Sequence, residues 1–599
     1  MIFAQRPSFL ALVVLLVGLA TGLQADPYAP GNYYDGLSLN GATLKSELND
    51  LIDGHTVRSY NDARSILQVT DVDPNDPDRM ILIYNRESLD VSAINPNGGI
   101  PGWDSGVSWN REHTWPRSLG VGSSGADNSD LHNLRPSRNN INSQRGNLNF
   151  GGEYGEQGYG PLSDGGTVWY PGDEDAGMVA RQMFYMDTRY EGGPGDGSST
   201  TDLSLVNNTP GTGGTTLGRL SRLIEWHYEA VPDEFERRRN QVIYDDYQHN
   251  RNPFIDHPEW VWAAIINQTN DSQLAIAGGV SGGAGATSLD VDLGRAFVGG
   301  AGPGTQSVTL NKSGDDGVYY EVATSGDATS SVSGRLNAFG LGGSGSRSIE
   351  VGLDVSTAVA GHYAGEVTID NLDITTGAGA GRGAQDGDDV IDVGFTVLEH
   401  AVASFDSSDL IEELTIDFGE VSFGSTPLLE MFDLVNFMGA GGPGFAADLD
   451  FDSVLGVGDT LAFDTDLAAF TGLSHGSASS FSASLLTDTL GEFSAEYTLS
   501  LSDEDLPGEQ QQSLTLQLVG EVVGGLAGDF NGNGTVDAAD FTVWRDGLGV
   551  TYSPEQYDDW VNNFGATIET GLSQTVPEPA AALLAVAVLG VLAGRRGRG

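Results

Sequence analysis

The sequence predicts a multidomain chain: an α+β domain first, β-sandwich modules behind it, then a short loop-helix segment and a C-terminal hydrophobic helix. Three observations carry this. The 599 residues exceed what one core fills, at roughly 100 to 200 residues per domain. Apolar residues spaced at three and four mark the stretch before about Asn267, in "ATLKSELNDLIDGH" and "LGRLSRLIEWHYEAVPDEFERRRNQVIYDDYQHN". Beyond that point Gly-rich turns separate short runs with period-two alternation, such as "RSIEVGLDVS" and "SLTLQLVGEV".

Taken in order, residues 1–25 combine a basic start (Arg6), an apolar run from Phe9 to Ala20 and Leu23-Gln24-Ala25 before Asp26. That describes a secretory signal peptide, with the mature chain starting near Asp26. Residues 26–270 form the first domain. The Gly/Ser/Thr-rich stretch from Glu191 to Leu217 reads as a surface loop inserted in it. Residues 271–400 and 401–525 read as two β-sandwich modules divided near Ala401 to Ser407, spacers or adhesion modules without a catalytic constellation. Residues 526–567 contain "DFNGNGTVDAAD". Its oxygen-bearing side chains at positions 1, 3, 5 and 12 (Asp529, Asn531, Asn533, Asp540), with Gly at 6 and the Thr535 carbonyl at 7, suit a Ca²⁺ loop entering a helix. Residues 575–599 hold Val576-Pro577-Glu578-Pro579, an apolar run and three terminal arginines.

The chain has no Cys, which excludes disulfides, Cys nucleophiles and thiolate metal sites. Its net charge of −55 would repel nucleic acid if evenly spread. However, 18 of the 28 Lys and Arg lie between Asp26 and Thr269, against 35 acidic residues there. Local cations therefore leave a phosphate substrate open.

They cluster around "NREHTWPRS" (Asn110 to Ser118) and "DLHNLRPSRNNINSQRGNLNF" (Asp130 to Phe150). Glu112 and Asn142 offer hard oxygen ligands for one Mg²⁺, and His113 is a base near neutral pH. Arg111, Arg117, Arg135, Arg138, Arg145 and Arg181 supply forked donors for phosphate. A zinc-protease H-E-x-x-H is absent. "DVDPNDPD" (Asp71 to Asp78) reads as a solvated turn, and "NRNPFIDHPEW" (Asn250 to Trp260) as a structural turn capping a helix.

With "RQMFYMDTRY", "LIEWH" and "FERRRNQVIYDDYQHNRNPFIDHPEW", these motifs resemble the bacterial secreted endonuclease I family over about Tyr33 to Ile265. The resemblance implies a ββα-metal (His-Me) finger: a hairpin carrying Glu112 and His113, then a helix carrying Asn142. It implies His113 as general base, Glu112 and Asn142 as metal ligands, and His132 and Asn133 as braces of the finger. For the arginine on the scissile phosphate, Arg117, Arg145 and Arg181 all remain open. The last 25 residues resemble a PEP-CTERM sorting tail, which implies an exosortase-like processing enzyme and transient membrane contact through the C-terminal helix. Asp529 to Gly549 resembles one half of a dockerin type I repeat. The second half, "SPEQYDDWVNNFG", lacks the loop acids, which argues against a cohesin partner.

The resulting expectation is an exported, Mg²⁺-dependent, sequence-nonspecific endonuclease acting on DNA and also RNA, giving 5′-phosphate ends at the envelope, in the matrix or in the medium. The competing expectation is a surface or matrix adhesin with an inactive nuclease-like domain. A carbohydrate-processing enzyme lacks any carboxylate pair outside the first domain.

Overall fold

The computed structural model describes residues 26–156, 158–192, 201–372, 386–438 and 444–567. The expected signal peptide (1–25) and sorting tail (575–599) lie outside these. The chain divides into two compact units, one comprising residues up to Leu293 with Gly304–Asp354 and Ala364–Gly394, the other the remainder.

In the first unit, α1 (Leu44–Ile52) buries Leu44, Leu48 and Ile52, the one-face spacing its sequence predicts. It packs on a long central helix, Asp173–Arg189. Three carboxylates in that helix's first turn (Asp173, Glu174, Asp175) complement the positive end of its dipole. The backbone of the next helical pair approaches closely at Gly177, where a Cβ would lie 2.1 Å from the Ala230 carbonyl oxygen. The single apolar pattern read from Leu217 to Asn250 is two helices, Leu220–Glu229 and Glu234–Val242, the second capped by the Asp233 side chain accepting from Glu236 N.

A two-stranded antiparallel ribbon joins Trp109–His113 (β1) to Leu134–Arg138 (β2), with Glu112 opposite Arg135 and His113 opposite Leu134. The chain then turns directly into a helix, Asn139–Arg145 (α2). Two strands and a helix thus come from one contiguous stretch.

Two readings need correction. "DVDPNDPD" is an exposed turn only at its centre, Pro74-Asn75: Val72–Asp73 pairs with Asp76–Ile81 around it as a short hairpin. Asp71 is fully buried between Arg135 (2.6 Å) and Arg239 (3.2 Å), because two interior guanidiniums require a carboxylate. The inserted loop also carries a short parallel pair, Ser204–Val206 with Thr216–Gly218.

The following strands form a four-stranded sheet (Gln273–Ile276, Gln306–Ser313, Ser344–Leu353, Ala328–Ser330) and a six-stranded one (Val280–Ser281, Thr287–Phe297, Asp389–Leu398, Gly361–Asn371, Val318–Gly326, Gly334–Phe339). Position 270 is no boundary in the core. Tyr319 and Ala338 join the cluster that contains Trp226 and Trp262, and Tyr319 OH donates to the His227 carbonyl at 2.5 Å. Arg335 reaches Glu259 at 2.5 Å.

The second unit holds four- and five-stranded sheets between Ala403 and Val523, closed by one parallel pair, Glu413–Ser422 with Gln511–Val523. Helices Ala538–Gly547 and Gln556–Asn563 follow, joined by an aromatic cluster of Phe541, Trp544, Tyr557 and Trp560. No helix among the described residues is long and apolar enough to cross a membrane.

Candidate active site

Strand alternation turns Glu112 and His113 to opposite faces of β1, so the two adjacent residues meet different surroundings. Glu112 is 3% exposed. Its Oε1 accepts from Tyr84 OH at 2.9 Å and lies 3.6 Å from Arg145 Nε, while Oε2 takes no hydrogen bond among the described residues. Burial pushes its carboxyl up to about 7, against the pull of Arg145 and the Tyr84 hydrogen bond. Asn142, on α2, donates through Nδ2 to the Arg111 carbonyl at 3.3 Å, which leaves its Oδ1 as an open acceptor. Two unengaged hard oxygens at one strand-helix junction fit a divalent cation that keeps several waters and a substrate oxygen. No group of three or more His, Asp or Glu side chains stands ready as a metal cage among the described residues. A cation here would therefore have few protein ligands and open positions.

His113 is 9% exposed and stacks on Tyr60, ring centroids 5.4 Å apart and planes 22° apart. Its Nε2 lies 2.9 Å from the Asn128 carbonyl oxygen. A carbonyl only accepts, so Nε2 carries the proton and Nδ1 keeps its lone pair. Burial, with Arg117, Arg111 and Arg145 adding to it and the Asn128 contact opposing, lowers the imidazole to about 4. The ring is neutral at physiological pH and can accept a proton.

The three arginines left open by the sequence separate cleanly. Arg181 is 1% exposed and bidentate to Glu236, at 2.8 and 2.5 Å, with Nη1 donating to the Ala230 carbonyl. It ties helices together and is not at the site. Arg145 is fully buried, donating to the Thr114 carbonyl at 2.6 Å beside Glu112. It steadies that carboxylate and offers no face to a phosphate. Arg117 alone of the three is exposed, held by Asn128 Oδ1 at 2.5 Å next to His113. The expectation of a phosphate contact is corrected for Arg145 and Arg181, because both guanidiniums are buried beside carboxylates and do not reach solvent.

Asn133 braces the ribbon's end: its Oδ1 accepts from Trp115 N at 2.7 Å and Thr114 Oγ1 at 2.8 Å. His132 is buried against Tyr185, with Nε2 3.4 Å from the Asn250 carbonyl, and burial lowers it to about 4. Asp256 and His257 are structural: Asp256 pairs with Arg251 at 2.7 Å, and His257 stacks on Trp260 at 3.8 Å. Sequence reasoning missed Tyr84, Asn128 and Tyr60. Each acts through a contact 15 to 53 positions from its partner's place in the chain, and no periodicity marks it.

In the second unit, the loop from Asp529 closes on itself. Asp529 Oδ2 accepts from Gly534 N (2.7 Å), Asn531 Oδ1 from Asn533 N (3.0 Å) and Asn533 Oδ1 from Thr535 N (2.9 Å). Asp540, fully buried, accepts from Asn531 N at 2.9 Å and Asp537 N at 2.8 Å. Gly534 adopts φ 80°, the left-handed turn position that favours Gly.

An α+β scaffold presents a carboxylate, an amide oxygen and a neutral imidazole from one ββα stretch, groups that suit a phosphodiester hydrolase. The family model for endonuclease I matches residues 40–259. The extracellular ribonuclease of Bacillus amyloliquefaciens is 44% identical over 231 residues, covering 38% of this chain and 75% of the relative. The extracellular ribonuclease of Bacillus subtilis (strain 168) is 43% identical over 247 residues, covering 40% and 81%. The chain belongs to the endonuclease I family and is a nuclease. Among solved structures, the adhesive subunit CfaE of an enterotoxigenic Escherichia coli fimbria aligns over 41% of this chain and 99% of its own, at 8% identity and a TM-score of 0.19.

Proposed function

We propose that the chain is an exported, Mg²⁺-dependent, sequence-nonspecific endonuclease that hydrolyses DNA and RNA to 5′-phosphate products. One observation carries this: a single contiguous ββα stretch presents a neutral His113 with a free Nδ1 and two unengaged oxygens, Glu112 Oε2 and Asn142 Oδ1. Those two oxygens would hold the cation. When bound, it supplies Lewis-acid stabilisation of charge on the phosphate and on the leaving oxygen. His113 Nδ1 takes the proton of the attacking water, and the neutral ring needs no prior deprotonation at pH 7. Arg117 binds a non-bridging oxygen of the scissile phosphate through its fork. The water oxygen stays on phosphorus and the 3′ oxygen departs, which gives 5′-phosphate ends. Contacts to phosphate without base-edge readers account for low sequence specificity.

Export is supported by the leader-like first 25 residues and by relatives described as extracellular. The Pro-Glu-Pro tail is proposed as the substrate of an exosortase-like enzyme that leaves the protein at the envelope or in the matrix. The Asp529 loop is proposed to bind Ca²⁺.

The test is cleavage of supercoiled plasmid and of single-stranded RNA by the full chain, with Mg²⁺, with EDTA, and as His113→Ala. The full chain is used because Tyr319 and Arg335 complete the nuclease core. Mg²⁺-dependent cleavage that disappears in both controls is expected. A folded wild-type chain inert with every divalent metal would overturn the proposal and leave an inactive adhesin.

A further inference from the structure

Among the arginines the motifs offered, Arg135, Arg138, Arg145 and Arg181 each face a carboxylate: Asp71, Glu87, Glu112 and Glu236. Arg64, Arg111 and Arg117 do not; none forms an ion pair among the described residues. In a chain of net charge −55 a carboxylate is never scarce, so three unneutralised guanidiniums near one another need a reason. They are close enough that Arg64 and Arg117 lower the Arg111 guanidinium, after burial.

What they face instead is neutral: Arg111 donates to the Tyr60 carbonyl, Arg64 to the Asn61 carbonyl and Arg117 to Asn128 Oδ1, and each also lies over an aromatic ring. Arg111 lies over the Tyr60 ring at 3.7 Å, and Arg117 over the same ring at 4.7 Å. Arg111 and Arg64 lie over Trp103 at 5.2 and 5.9 Å. Tyr60 in turn stacks on His113, so this cluster adjoins the reacting centre. Trp103 is half-buried on a loop fastened at three points. Gly102 O accepts from Trp109 Nε1 at 2.8 Å, Pro101 O accepts from Gln68 Nε2 at 2.9 Å, and the Trp103 ring meets Trp109 edge-on at 4.9 Å. The ring is thereby a fixed platform before any ligand arrives.

Unneutralised cations interleaved with rigid aromatic faces are the chemistry of single-strand binding, in which guanidiniums track phosphates and rings stack bases. A paired duplex keeps its base faces buried in its own stack and reaches such a surface only through phosphates. We propose that Trp103, Tyr60, Arg64 and Arg111 form a nucleotide subsite flanking the scissile bond. It takes an unpaired nucleotide of single-stranded nucleic acid, with the phosphate on the guanidiniums and the base on the Trp103 ring. This rests on the nuclease reading, because it places the strand beside His113. The scissile phosphate itself belongs to Arg117.

The test measures binding and cleavage separately with the full chain. In EDTA, fluorescence anisotropy compares a labelled 12-nucleotide single strand with a duplex of the same length. The single strand is expected to bind at least fivefold more tightly. Trp103→Ala raises its Kd about tenfold, in keeping with one stacked base, and raises the duplex Kd less than twofold. Trp103→Phe restores most of the loss. In Mg²⁺, the KM for the single strand rises by the same factor in Trp103→Ala. If Trp103→Ala lowers the melting temperature through its contact with Trp109, Arg64→Gln decides the question. It should weaken single-strand binding and reduce the salt slope by about one. Equal affinity for the two strands, or losses that are equal on both or absent in both variants, would overturn the subsite. Preferential binding of the single strand without cleavage would overturn the nuclease reading and leave the subsite standing. Cleavage indifferent to Trp103 and Arg64 would do the reverse.

Discussion

Replacing Arg181 by Met removes one partner of an enclosed ion pair. Glu236 is 2% exposed and receives two of its hydrogen bonds from Arg181, at 2.8 and 2.5 Å, and the Ala230 carbonyl loses its donor at 2.8 Å. Breaking a buried pair from one side costs about 3–5 kcal/mol, because the remaining charge cannot return to water. For a core of this size each kcal/mol shifts the midpoint by about 2–4 °C, so the melting temperature should fall by roughly 6–20 °C. The opposite pattern is expected for Arg117→Ala, an exposed site with one hydrogen bond to Asn128 and one face over Tyr60. Its melting temperature should shift by about 2 °C at most, for a stability change within about 0.5 kcal/mol. Its kcat/KM should fall roughly 100- to 1,000-fold, as for loss of one donor to transition-state charge. Thermal melting by circular dichroism and plasmid cleavage at 20 °C, normalised to folded protein, give both readouts. An Arg181→Met variant that melts like wild type and loses turnover would refute the assignment and return Arg181 to the phosphate.

Three further outcomes are expected. His113→Ala should retain the fold and lose about 100- to 10,000-fold in kcat, the range for a general base; residual activity within tenfold of wild type would exclude Nδ1 as proton acceptor. Glu112 holds a proton below about pH 7 without metal, so Mg²⁺ must displace that proton; apparent Mg²⁺ affinity should weaken about tenfold per pH unit below 7 and level off above it, and a flat titration from pH 5.5 to 8.5 would contradict this. Asp540→Ala frees the amides of Asn531 and Asp537, and should abolish a calcium-dependent rise in the melting of residues 526–567, expected near 2.7 kcal/mol at 100 times Kd; calorimetry showing no effect of Ca²⁺ on wild type would sink the calcium loop.

The order of elements was readable because its causes are local. Three- and four-residue spacing turned one face of α1 inward, and period-two runs became strands across the later sheets. The break between Leu220–Glu229 and Glu234–Val242 was also local, at Pro232 and the Asp233 cap, but a continuous apolar pattern ran across it. The sharing of Tyr319 and Ala338 with the first domain's core was not readable, because alternation marks an inward face without saying which partner it meets.

The grouping of Glu112, His113 and Asn142 was visible in the sequence for a related reason: a ribbon of two strands followed at once by a helix is built from about thirty consecutive residues. The arginines were beyond reach because a guanidinium's role depends on its counter-ion. Arg181 meets Glu236 from 55 positions away, Arg145 turns inward to the Thr114 carbonyl, and Arg117 stays exposed beside Asn128. Tyr84 and Tyr60 reach the site from 28 and 53 positions upstream. The sequence by itself determined which donors and acceptors gather in one short stretch, since residue type and close spacing specify them. Only the tertiary structure decided which cations are neutralised within the protein and which remain for a polyanion, because burial and long-range pairing set that balance.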